Sequence, residues 1–283
     1  MKPAEFHMER PGGLAEALAL MAQHGADGRA IAGGQSLVPM MNLRIVSPMV
    51  LVDLNRVAEL SGIRLEGATL RVGAMTRQHQ LLSDPLVAQH APLVARAMPY
   101  VGHVQTRNRG TIGGSLAHAD PSAELPVTMV ALGAVLHVHS ANAHRRIAAL
   151  DFFEDMLTTA LQPGELLTEI EIPVAPAGTR ACFTEFARRH GDFAIASCAA
   201  QFVPAGGQPR LEVALGGVGN VPHYCGALAE SLALAGFARS AVDEAVEREI
   251  ALLSPTQDLH ADVALRTQLA RVALTKCLKE ILP

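Results

Sequence analysis

Two glycine pairs, in Ala32-Gly33-Gly34-Gln35-Ser36-Leu37 and in Thr111-Ile112-Gly113-Gly114-Ser115-Leu116, constrain this chain more than any other feature. Each follows an apolar or β-branched residue and precedes a hydroxyl. Consecutive glycines permit left-handed torsions and carry no Cβ, so several amide N–H groups can converge on one anion. A pyrophosphate, with about two negative charges, needs such donors, and hydrogen bonds to a charged group contribute about 1.5–3 kcal/mol each. One such pair reads equally well as a tight turn. Two similar pairs favour phosphate binding, with Ser36, Ser115 and Thr111 adding hydroxyls.

The rest of the chain limits what that anion can belong to. Its 283 residues carry a formal net charge of -4, with 49% apolar and 18% charged residues, which disfavours a nucleic-acid partner. No run of eighteen apolar residues occurs, and Met1 to Glu5 begin without the apolar stretch of a secretion signal. A cytoplasmic protein with no integral membrane segment is expected. The four cysteines, Cys182, Cys198, Cys225 and Cys277, are widely spaced and form no C-x-x-C pair, so no metal is expected on this chain. Tryptophan is absent and tyrosine occurs twice, which leaves a bound ring few large aromatic partners.

Along the chain, Leu14, Ala17, Leu18 and Met21 mark an amphipathic helix ending at Gly25. A short strand at 29–32 runs into the first glycine pair, and a helix at 37–43 is expected to be interrupted by Pro39. Residues 49–54 read as a buried strand and 63–74 as a hairpin around Gly67-Ala68. Thr76 is the expected cap of the next helix, with further helices starting at Asp84-Pro85 and Pro92. The stretch 100–115 is polar and glycine-rich, 121–132 reads as a helix, and 135–139 and 166–172 read as strands. After Pro173-Val174-Ala175-Pro176 the composition changes. Strands at 182–188, 194–203 and 211–218 then precede helices at 227–235, 240–253 and 261–281. This order lacks the strict βαβα alternation of a doubly wound sheet.

The second pair lies within a dense polar run, Arg107-Asn108-Arg109-Gly110-Thr111-Ile112-Gly113-Gly114-Ser115-Leu116-Ala117-His118-Ala119-Asp120-Pro121-Ser122-Ala123-Glu124-Leu125-Pro126. That run resembles the flavin-binding signature of the FAD-binding (medium) subunits of molybdenum hydroxylases, of the carbon monoxide dehydrogenase and xanthine dehydrogenase type. Ala32 to Arg44, Leu51-Val52-Asp53-Leu54, Gly191 to Ala196 and Ala214 to Gly219 resemble further segments of that family in the same order. One segment is weak support; the ordered set is strong.

The resemblance implies an α+β chain with a vanillyl-alcohol-oxidase (PCMH)-type FAD-binding fold. Two α/β subdomains, 1–56 and 57–175, would enclose extended FAD, and a C-terminal domain, 176–283, would carry a small antiparallel sheet and helices. Ala32, Gly33, Gly34, Gln35, Ser36 and Leu37 would hold the pyrophosphate from one side, and Thr111, Gly113, Gly114 and Ser115 from the other. Glu124 would lie near the ribitol hydroxyls, its alternative being a helix N-terminal charge. Asp120 either reaches the cofactor or caps the helix at Pro121. Leu166 and Phe193 match apolar positions flanking the isoalloxazine. Many family members have His where this chain has Gln35, and related flavoproteins attach flavin covalently through such a histidine; FAD should here be noncovalent. Molybdopterin would sit on a large partner subunit and 2Fe–2S clusters on a small one. The chain would then be a relay without a catalytic residue of its own, passing electrons to NAD, a quinone or oxygen.

Other constellations carry less. His118 with Asp120, and His137 with His139, have spacings seen in metal sites but lack further ligands. Ser115, His118 and Asp120 are triad residue types without a G-x-S-x-G elbow. Gly217-Val218-Gly219 reads as a turn because Asn220-Val221-Pro222 stops any helix there. Arg107, Arg109, Arg188 and Arg189 either steer an anionic acceptor or partner, or form a solvated basic surface. The rival functions are a free-standing flavin oxidase of the same wider fold and a flavin-binding scaffold without turnover.

Overall fold

The computed structural model describes residues 2–204 and 208–283. The first five elements are β1 (His7–Glu9), α1 (Leu14–His24), β2 (Gly28–Ile31), α2 (Leu37–Asn42) and β3 (Val50–Asp53). The strands form a small parallel sheet in the order β1-β3-β2. In α1 the predicted stripe is real: Ala17, Leu18 and Met21 are buried, packed into a core with Val52, Leu54 and Leu60. Pro39 does not interrupt α2 but lies in its first turn, where a missing N–H costs no intrahelical bond.

Next come β4 (Ile63–Glu66), β5 (Thr69–Gly73), α3 (Gln78–Ser83), α4 (Pro85–His90), α5 (Pro92–Ala97), α6 (Val104–Arg109), α7 (Ile112–His118) and α8 (Glu124–Ala131). They are followed by β6 (Val135–His139), β7 (His144–Ala148), α9 (Ala149–Phe152), β8 (Phe153–Asp155), β9 (Thr158–Thr159) and β10 (Leu166–Pro173). Five of these strands make an antiparallel sheet in the order β4-β5-β10-β6-β7. Leu70, Val72, Leu136, Val138, Ile170 and Ile172 bury one face of it in a core shared with α5 and α8.

Two local expectations fail here for physical reasons, and one stretch left without an assignment takes a definite form. Thr76 does not cap α3, because it is buried and its hydroxyl is committed to Gly62, accepting from the N–H at 3.0 Å and donating to the carbonyl at 3.1 Å. Arg77 starts that helix instead, its N–H held by Gln80 Oε1 at 2.9 Å. The polar stretch 100–115 is largely helical, in α6 and the start of α7. And α8 begins at Glu124, not at Pro121, because Asp120 closes a turn ahead of it by accepting from the Ser122 N–H at 2.9 Å.

The last part comprises β11 (Arg180–Phe186), β12 (Ala196–Val203), β13 (Arg210–Gly216), β14 (His223–Tyr224), α10 (Gly226–Leu234), α11 (Val242–Ile250) and α12 (Val263–Ile281). Its four strands form an antiparallel sheet in chain order. Strand β12 is buried along its whole length. The period-two alternation explains how: Cys198, Ala200 and Phe202 join the core of α10, α11 and α12, while Ala199 joins the core beneath α5 and α8. Small side chains on β12 let both helical layers approach.

Candidate functional site

A cavity of about 1020 Å³ opens between the parallel sheet, the five-stranded sheet and the edge of the C-terminal sheet. Both glycine pairs line it, although they lie far apart in sequence. Its size is at the upper end of ligand pockets, which run to about 1,000 Å³ and suit an extended ligand.

The first pair sits in the turn between β2 and α2. The backbone amides of Gly33, Gly34, Gln35, Ser36 and Leu37 have no acceptor among the described residues. Five consecutive free donors on a cavity wall fit an anion carrying several oxygens. The Gln35 side chain folds back, donating from Nε2 to the Gly33 carbonyl at 3.1 Å. Glycine at position 33 is required because a Cβ there would collide with the Arg109 carbonyl of the second segment.

The second pair looks like the first in sequence and differs in structure. Thr111 caps α7, its hydroxyl accepting from the Gly114 N–H at 3.0 Å. The Gly113 N–H is bonded to the Ala74 carbonyl at 2.8 Å and the Ser115 N–H to the Thr111 carbonyl at 3.2 Å. These amides are already used, so the expected second cradle of N–H donors does not form. Glycine at position 113 serves close packing instead: a Cβ would lie 2.5 Å from that of Ala74. What this segment offers the cavity is the hydroxyl of Ser115, the remaining O–H of Thr111, and the bare, exposed surface of Gly114.

The structure gathers around this one cavity every residue that the resemblance assigns to the cofactor. Ala32 to Leu37 form one wall, and Thr111, Gly113, Gly114 and Ser115 the facing one. Asp120 and Glu124 lie beyond them, Leu166 enters from the start of β10, and Phe193 stands at the rim, 60% exposed. Glu124 is buried, and burial, aided by the Asp120 charge, raises its carboxyl to about 7. Glu185 on β11 is raised to about 8, chiefly by burial and then by the Glu124 charge, and its Oε2 has no partner.

Several wall residues escaped the sequence reading. Gln78, the turn Gln162-Pro163-Gly164, and the exposed His260 all line the cavity. The Pro-Gly pair signals a turn, but nothing local says that it faces this cavity. Arg107 is no free steering charge, since it donates to the Val101 and Gly102 carbonyls at 2.8 and 2.9 Å. Arg188 does line the cavity.

Away from the cavity, His223, Cys225 and Glu249 bring potential metal-ligating atoms within 4.8 Å of one another, a grouping their spacing in the sequence did not reveal. Glu249 is already occupied, accepting from His223 Nε2 at 2.8 Å and from the Leu228 N–H at 3.0 Å. His137 and His139 stack with His144 on the five-stranded sheet. No helix of the described residues is long and apolar enough to cross a membrane.

The family described as "FAD binding domain in molybdopterin dehydrogenase" matches residues 4–175. The chain belongs to that family. A second family, "CO dehydrogenase flavoprotein C-terminal domain", matches residues 181–281. Among curated relatives of this FAD-binding family, the "6-hydroxypseudooxynicotine dehydrogenase complex subunit alpha" of Paenarthrobacter nicotinovorans is 36% identical over 100% of this chain and 96% of its own. The "Carbon monoxide dehydrogenase medium chain" of Afipia carboxidovorans is 35% identical over 99% of this chain and 97% of its own. Among solved structures, a carbon monoxide dehydrogenase from Hydrogenophaga pseudoflava that lacks the Mo-pyranopterin moiety superposes with a TM-score of 0.93 at 36% identity, covering 99% of this chain and 98% of that one. The α+β architecture with its C-terminal antiparallel sheet and helices is thus that of the molybdenum hydroxylase medium subunits. The chain is a flavoprotein subunit of an oxidoreductase.

Proposed function

We propose that this chain binds FAD noncovalently between Ala32 to Leu37 and Thr111 to Ser115 and relays electrons within a molybdenum hydroxylase. A large subunit would oxidise the substrate at molybdopterin, and 2Fe–2S clusters on a small subunit would carry electrons to this chain. NAD, a quinone or oxygen would then receive them. The carrying observation is the run of five free amides on the wall of a dinucleotide-sized cavity. Support for the subunit role comes from relatives named as a medium chain and as a subunit of a dehydrogenase complex.

FAD, when bound, supplies the capacity to accept electrons singly and release them as a pair. The chain's own residues bind and orient. The amides of Gly33 to Leu37 hold the diphosphate oxygens, with hydroxyls of Ser36, Ser115 and Thr111 beside them. Gly114 lets the backbone come close to the cofactor, Gly113 lets α7 pack against Ala74 beside it, and Glu124 offers its carboxyl to the ribitol. Asp120 closes the turn that delivers Glu124, Ala32 leads into the amide run, and Leu166 and Phe193 keep water from the ring. Gln35 has no imidazole for a covalent bond. Division of the chain at 56 and 175, and a cytoplasmic location, belong to the same reading.

Purified chain should release unmodified FAD on acid treatment. Its absorption should bleach with partner subunits or an artificial electron donor, and a molybdenum subunit should copurify. Bleaching by a small organic substrate alone would favour a free-standing oxidase; no redox response at all would leave a flavin-binding scaffold.

A further inference from the structure

Between the two glycine segments runs a short polar chain of side chains. Asn55, just after β3, donates from Nδ2 to the Ala32 carbonyl at 3.0 Å, immediately before the first glycine pair. Its Oδ1 accepts from Arg77 at 2.6 Å. The other terminal nitrogen of Arg77 donates to the Arg109 carbonyl, ahead of the second segment. That carbonyl is the one against which Gly33 packs. The backbone of Arg77 also bridges to Thr111, with the Gln78 N–H bonded to Gly110 O at 2.9 Å and the Ile112 N–H to Thr76 O at 3.1 Å.

We propose that Asn55 and Arg77 are positioning residues that clamp the two glycine segments at the separation a dinucleotide needs, without touching the cofactor themselves. The chemistry suits the residues. A guanidinium is planar, always charged, and presents separate N–H groups to two acceptors at fixed spacing; an ammonium is a point donor. Asn offers a donor and an acceptor on one small amide, so it can pass the link from Ala32 to Arg77. Neither residue lines the cavity, which separates this role from direct binding. Burial, then the nearby Arg109 charge, lowers the Arg77 guanidinium from its usual range, while Asp53 opposes the shift. The neighbouring Asp53 also accepts from the Asn55 N–H at 3.0 Å and steadies the amide.

The inference rests on FAD being the ligand, and its test keeps the two claims apart. Full-length chain is freed of FAD by acid and titrated with FAD by fluorescence quenching, and the thermal midpoint of each apo-protein is measured alongside. Wild-type protein that does not rebind FAD overturns the proposed function. If wild type binds, Arg77→Gln and Asn55→Ala should each raise Kd at least tenfold, while the apo midpoint moves by only a few degrees. The double variant should be no worse than the poorer single, because either change breaks the same link. Arg77→Lys should recover part of the loss. Unchanged Kd in Asn55→Ala and Arg77→Lys, additive losses, or losses matched by a collapse of the apo midpoint would each overturn the clamp.

Discussion

Glu124 and Glu185 show how one buried carboxyl conditions another. Both hold their proton more tightly in the folded chain than in the unfolded one, Glu124 at about 7 and Glu185 at about 8. The folded state is therefore favoured at low pH, and that advantage is lost as pH rises from the unfolded value near about 4.3 through the two folded values. Thermal midpoints of FAD-free protein should fall between about pH 5 and about pH 8. In Glu185→Gln the fall should be shallower, because the variant removes one of the two raised carboxyls. An unchanged slope would contradict the assignment. At the same scale, Gly33→Ala forces a Cβ into the Arg109 carbonyl, a backbone atom that cannot swing aside. Overpacking of this kind costs about 1–3 kcal/mol. FAD retention through gel filtration should fall sharply in that variant, whereas Gly12→Ala, whose Cβ would meet only a Glu16 side-chain oxygen at 3.7 Å, should retain it.

At the scale of elements, α7 exposes the limit of motif reading. Thr111 and Gly113 were legible as special, but the reason differs from the one sequence supports: a helix cap and a close contact with Ala74, not open donors. Repeated glycines report that Cβ atoms are excluded; they do not report what excludes them. Thr111→Val removes the cap hydroxyl while keeping the shape, and should cost about 1 kcal/mol. Equilibrium denaturation should register that loss, and Thr111→Ser should restore most of it. Other elements were legible where a helical stripe, a turn signal or an apolar run marked them, as in α1, in the hairpin of β4 and β5, and in β12. The hidden ones were short. Strand β7, in which His144, Arg146 and Ala148 are exposed, and helix α6, rich in polar residues, are fixed by tertiary partners rather than by a strong apolar pattern. The Asn55 to Arg77 link was equally hidden, since the residues it joins come from four separate stretches of sequence.

For the whole molecule, the question is what keeps the C-terminal sheet against the cavity. Arg266, near the start of α12, is only 3% exposed, and one of its terminal nitrogens donates to the carbonyls of both Ile195 and Gly217 at 2.6 Å. Its other terminal nitrogen meets Asp258 at 2.7 Å. Ile195 lines the cavity beside Phe193, and the Gly217 N–H is bonded to the Pro121 carbonyl at 2.8 Å, in the turn that leads to Glu124. One buried cation thus ties the last helix to two chain segments that stand beside the cavity, among the several through which the C-terminal part meets the FAD-binding part. Replacing it by Met leaves two buried carbonyls without their donor and takes the cation from Asp258, which keeps the His260 and Ala261 N–H groups, a change worth about 3–5 kcal/mol. In a chain of this length that corresponds to a fall in thermal midpoint of roughly 6–20 °C. Asp258→Asn, which keeps the carbonyl contacts and alters only an exposed partner, should lower the midpoint far less. If Arg266 acts mainly through this link, Arg266→Met should also speed FAD loss at temperatures well below its own midpoint. Retention equal to wild type there would mean that the C-terminal sheet closes the cavity without this anchor.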